Sequence, residues 1–178
     1  MGKHIIELSF KDVEYLKGRY SDAKKALAKM TDDACKRLAD LGVEIAKVEF
    51  FQAEYDGVND APESVHTEKR ENGYAVVADG KTVLFIELGT GIHYPDSDLS
   101  QYIGAGGMVH GSYGKGLGNN DYWYYTGMPG NAGGELARGR INTTRTHGNK
   151  ANMSMYNTVK RLEEEVERII TECFDLYD

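Results

Sequence analysis

Histidine and carboxylate side chains are the usual protein ligands for zinc or iron, and one part of this 178-residue chain collects them. His93, His110 and His147 fall in a glycine-rich region together with Asp96 and Asp98. The enzymatic reading they allow is a metal-dependent hydrolase using His93, Asp96, His110 and His147. The spacing speaks against it. The histidines are 17 and 37 residues apart, which matches no ligand motif, and they sit in stretches where nothing fixes their geometry. His110-Gly111-Ser112-Tyr113-Gly114-Lys115-Gly116 resembles a phosphate loop only superficially, because Lys115 is followed by glycine and not by the hydroxyl that magnesium needs. Ser112 lacks the surroundings of a hydrolase elbow. Cys35 and Cys173 lie in or beside helical apolar stripes and read as reduced, buried thiols. No paired carboxylates stand out. Catalysis is not visible, and neither a cofactor nor a metal is expected.

The formal charge of -7 and the pI of about 5.3 argue against a general electrostatic nucleic-acid binder, although they permit a local basic patch. Two cysteines are too few for a disulfide scaffold. Met1-Gly2-Lys3-His4 leads straight into a strand-like run, so no signal peptide is expected. No apolar stretch approaches the roughly 20 residues of a membrane span, and no membrane partner is expected.

The elements that must position these residues follow from periodicity. His4–Phe10 suggests a short strand, and Ser9 with Asp12 a capping box opening a short helix that Gly18 ends. From Asp22, the residues Leu27, Met30, Ala34, Leu38, Leu41, Ile45 and Val48 trace one stripe of a helix of about eight turns. That helix should fray near Tyr55. Ser64–Arg70 reads as a strand, Asn72-Gly73 as a type I′ turn, and Tyr74–Ala78 as the returning strand. Asp79-Gly80 leads into Thr82–Leu88, either a third strand of a meander or a short helix. Glu87 interrupts the apolar run Val83–Leu88 and must find a partner or an edge position. A last helix carries Met155, Val159, Leu162, Val166, Ile169 or Ile170, Cys173 and Leu176, with Asn152 or Ser154 as its cap.

Residues 89–150 hold 15 of the 21 glycines, six of the twelve tyrosines and the single tryptophan, and no helical or alternating pattern runs through them. A long aromatic excursion of this kind is usually functional. It reads as a loop system that becomes ordered against another subunit. Arg138, Arg140, Arg145 and Lys150 form its cationic stretch, suited first to the acidic face of a neighbouring copy and second to DNA. The expectation is a single α+β domain: a small antiparallel sheet packed by a long N-terminal helix and a C-terminal helix, its core at 1–88 and 151–178. Deleting 96–148 would then leave that core folded.

Four segments together resemble a known family. They are Phe85-Ile86-Glu87-Leu88-Gly89-Thr90-Gly91, then Tyr113-Gly114-Lys115-Gly116, Tyr122-Trp123-Tyr124-Tyr125 and Asn152-Met153-Ser154-Met155-Tyr156-Asn157. The chain resembles phage tail-component proteins of the HK-ninety-seven gene-product-ten family over nearly its whole length, departing at Leu88, where phenylalanine is commoner. The resemblance implies a non-enzymatic virion protein of a tailed phage or prophage, found in the virion and, during assembly, in the host cytoplasm. Its place would be a tail-completion or neck ring at the head–tail joint, with the tail terminator as the alternative within that class. The implied partners are copies of itself in a ring, with six subunits as one option, and the adjoining head-closure and tail-terminator or tail-tube proteins. DNA would be passing cargo only. Glu87, Tyr113, Tyr122, Trp123, Tyr124, Tyr125, Arg138, Arg140 and Arg145 are the candidate interface residues.

Overall fold

Ser9 begins the first element. Its hydroxyl accepts from the Asp12 amide, and the Asp12 carboxylate accepts from the Ser9 amide at 2.8 Å, so the expected capping box is formed. In the computed structural model, which describes residues 9–90 and 122–175, the helix it starts does not stop at Gly18. Helix α1 spans Phe10–Gln52, 43 residues, or about 65 Å. A lone interior glycine costs only about 1 kcal/mol against alanine, and a side chain at Gly18 would meet nothing within 4 Å. Nothing there favours a stop, and the two expected helices are one. Of the strand expected at His4–Phe10, only Ser9 and Phe10 are described, as cap and first helical residue.

After α1 come a one-turn helix α2 (Ala61–Ser64) and the strands β1 (Val65–Arg70) and β2 (Gly73–Ala78). The strands pair antiparallel with Arg70 opposite Gly73, which makes Glu71-Asn72 the turn. Neither of those residues has positive φ; Gly73 does, at 146°. The expected Asn-Gly type I′ turn is therefore not formed; the two-residue loop falls one position earlier and is of another type. The next segment is not a third strand but helix α3 (Val83–Leu88). Asp60 sets its start, its carboxylate accepting from the Lys81 amide and from the Thr82 amide and hydroxyl at 2.6–3.0 Å. The Thr82 hydroxyl and these amides hold the Asp60 carboxyl below the usual aspartate range, against the opposing effect of burial.

Within the aromatic excursion, residues 122–149 are not irregular throughout. Strands β3 (Trp123–Thr126), β4 (Glu135–Leu136) and β5 (Thr143–Thr146) form an antiparallel sheet in the order β3-β5-β4. Its signal was faint because β4 has two residues and β3 and β5 only four each. Helix α4 (Ser154–Asp175) closes the described chain.

The main core lies between the C-terminal part of α1 and the elements that follow it: Ala46, Phe50, Ala53, Ala61, Val65, Val83 and Ile86, with Val76, Ala78 and Met155 packed against them. A second cluster, Ala34, Ile169 and Cys173, joins α1 to α4. Four stripe assignments shift. Leu27 and Val48 are exposed on α1, and Val159 and Val166 on α4, which buries Ile169 and Cys173 as expected and Ser154 and Thr158 in addition. Gly42 lets α1 approach both β2 and α4: a side chain there would lie 2.7 Å from Val76 and 3.0 Å from Leu162. Cys173 is buried, whereas Cys35 is only partly so. The architecture is α+β, and among the described residues no helix is long and apolar enough to cross a membrane.

Candidate interaction surface

The Glu87 motif proves to be a junction. The Glu87 carboxylate accepts from the Met155 amide at 2.8 Å and the Tyr156 amide at 3.2 Å, so α3 supplies the cap of α4. This replaces Asn152 and Ser154 in that role; Asn152 turns its amide nitrogen to Glu49 O and Ser154 Oγ. Burial pushes the Glu87 carboxyl up, and the helix N–H groups partly oppose this. The neighbouring residues of the motif fasten the ends of the excursion. Thr90 donates its amide to Asn149 O and its hydroxyl to Asn149 Oδ1, both at 2.8 Å, and Asn149 Nδ2 donates to Phe85 O. Gly89, at φ 70°, passes so close to Asn149 and Lys150 that a Cβ would lie 2.9 Å from backbone atoms.

Strand alternation divides Tyr122-Trp123-Tyr124-Tyr125 between two faces. Trp123 and Tyr125 lie opposite the buried Thr146 and Thr144, while Tyr124 lies opposite Arg145. On the outer face Tyr122 and Tyr124 meet edge-to-face at 5.7 Å. The Arg140 guanidinium stands 4.1 Å from the Tyr124 ring and that of Arg145 5.4 Å from Tyr122. Arg145 also pairs with Glu135 at 3.1 Å, and the His147 ring lies edge-on to Tyr122 at 6.2 Å. Exposed cation–π contacts of this kind contribute about 0.5–1 kcal/mol each. They hold long side chains in place without burying them.

The inner face is fixed to the body by residues that local patterns did not single out. Asp56 is buried, and its carboxylate accepts from Thr146 Oγ1 at 2.6 Å and from the Gly134 amide at 3.1 Å. Asn131 Oδ1 accepts from the Tyr55 amide at 2.7 Å. Gly130 and Gly134 allow this approach, since a Cβ at Gly134 would lie 2.6 Å from Asp56 Oδ2. A cleft of about 720 Å³ opens beside this joint, lined by Tyr55, Phe85, Trp123 and Tyr125 among others. Burial pushes the phenols of Tyr55 and Tyr125 up, which keeps both neutral.

The expected interface residues therefore divide. Tyr122, Tyr124, Arg140 and Arg145 are brought together on one face. Trp123 and Tyr125 turn to the cleft. Glu87 has its partners within the chain, and Arg138 is exposed between β4 and β5. Tyr113 lies outside the described residues, as do His93, Asp96 and His110 of the metal set. Among the described residues no group of three or more His, Cys, Asp or Glu could hold a metal ion. Asp56 carried no sequence signal because its partners are 78 and 90 residues away. No family model, no curated protein and no solved structure matches the chain.

Proposed function

We propose that this protein is a structural subunit of a tailed phage or prophage particle, a tail-completion or neck component that forms a ring at the head–tail joint. The observation that carries the reading is the outer face of the β3-β5-β4 sheet. Tyr122, Tyr124, Arg140 and Arg145 stand there pre-ordered by one another and by the strand ladder. Tyrosine and arginine are enriched at interface hot spots, and rigid aromatic groups lose little entropy on binding. The resemblance of the Phe85–Gly91 and Asn152–Asn157 segments to phage tail-component proteins supplies the place in the particle. Partners on this reading are copies of the chain and the adjoining head-closure and tail proteins.

The test is genetic. Deleting the gene from the phage or prophage that carries it should yield DNA-filled heads and separate tails by electron microscopy, and the wild-type chain supplied in trans should restore joined particles. Tyr124→Ala combined with Arg140→Ala should fold normally yet restore few, since loss of a hot spot costs on the order of 2 kcal/mol or more. Joined, infectious particles without the gene would overturn the reading.

A further inference from the structure

Every residue in the first five to six turns of α1, from Ser9 to Lys29, is exposed, and Lys24, Leu27 and Ala28 border an open cleft with the β1–β2 turn at residues 71–73. This arm is nevertheless patterned. Val13, Leu16, Tyr20 and Leu27 are 39, 53, 74 and 54 % exposed, and their spacing of three, four and seven is that of a coiled-coil seam with Ala23 at the missing position. The seam runs on through Met30 into Ala34, which packs against Ile169 and Cys173. One stripe thus continues from a surface that α4 covers to a surface that the described part of α4 does not reach.

Three observations identify what covers it. The first is charge. Residues 10–30 hold six lysines and arginines against three acids, whereas 154–175 hold three against six. Two arms side by side would set surplus positive charge against itself, while an arm on α4 sets opposite charges together. The second is a matching apolar stripe. Val159, Val166 and Ile170 are exposed along one flank of the buried stripe of α4, on the side that carries Glu163 and Glu167. The third is length. The arm's 21 residues and the 22 of α4 each span about 32 Å. Lys17 and Lys24 flank the arm's seam as Glu163 and Glu167 flank that of α4.

We infer that the α1 arm of one copy packs on this exposed flank of α4 of the next copy. The donor and acceptor surfaces are different, so the contact is head-to-tail, and repeated through a rotation it closes a ring. It rests on the proposed function only for closure around a channel; the pairing itself is a property of the chain in solution.

The experiment uses the full chain and sedimentation equilibrium over a wide concentration range. The wild type should self-associate, and more weakly as salt is added. Lys17→Glu with Lys24→Glu should weaken association by roughly tenfold, and so should Glu163→Lys with Glu167→Lys. An equimolar mixture of these two variants should regain wild-type association, because each then offers the other a complementary surface. All four positions are exposed, so circular dichroism and melting should match the wild type. Indifference to the α4 reversals would replace this contact with arm–arm pairing or another surface, and a wild type monomeric at every concentration would overturn the proposal outright. Either result leaves the deletion phenotype to decide the virion role separately.

Discussion

Glu87 concentrates the opposing effects that a buried charge must balance. Burial raises its pKa above the ordinary 4.5, and the backbone N–H groups of Ser154, Met155 and Tyr156 favour the charged form. Burial prevails. The folded chain therefore holds this proton to higher pH than the unfolded chain does. The contribution of that proton to stability is complete below 4.5 and is lost as pH rises through the folded value. Glu87→Ala should cost about 1–2 kcal/mol, the usual penalty for a lost cap. Glu87→Gln should cost less at neutral pH, since the amide oxygen still accepts. The unfolding free energy of the wild type relative to Glu87→Gln should then rise as pH is lowered toward 4.5. Urea titrations of the two proteins across that range measure it, and a constant difference would refute the assignment.

Helix α1 contains two glycines that only packing tells apart. A side chain at Gly18 would enter open space, whereas one at Gly42 would strike Val76 and Leu162. Gly18→Ala should therefore raise the stability of the arm by about 1 kcal/mol, the propensity difference alone, seen as slower amide exchange in residues 10–29. Gly42→Leu should destabilise the whole protein by about 2 kcal/mol or more, because two neighbours must move and overpacking outweighs the gain in propensity. Equal effects at the two sites would mean that α4 and β2 do not close on α1 at Gly42. Sequence reading took Gly18 as a helix end and ran the long helix through Gly42, yet α1 continues through both.

Across the molecule, the β3-β5-β4 sheet depends on contacts to the body made across long stretches of sequence. Asp56, Asn131, Thr146 and the Thr90–Asn149 pair hold it there. Thr146→Val keeps the volume but removes the hydroxyl that Asp56 accepts from, and should cost about 1–3 kcal/mol. Limited proteolysis should then cut within residues 122–149 before it cuts α1 or α4. Simultaneous cleavage everywhere would mean that the sheet unfolds only together with the core. Removal of residues 96–148 would take away both the Gly134 and Thr146 donors to Asp56 and, with the sheet that covers it, open that carboxylate to water.

The sequence by itself determined the features that arise within a few turns of chain. These are the Ser9–Asp12 capping box, the two amphipathic helices, the β1–β2 hairpin, and the need of Glu87 for a partner. Each depends on groups that are near neighbours along the backbone, so periodicity and turn chemistry register them. Tertiary structure alone decided which partner Glu87 takes, that Tyr122 and Tyr124 face outward while Trp123 and Tyr125 face the cleft, and that Asp56 anchors the second sheet. Those choices follow from contacts 59 to 90 residues apart in the chain. Over such separations no local pattern carries the information, because the donor and acceptor become neighbours only once the helices have packed.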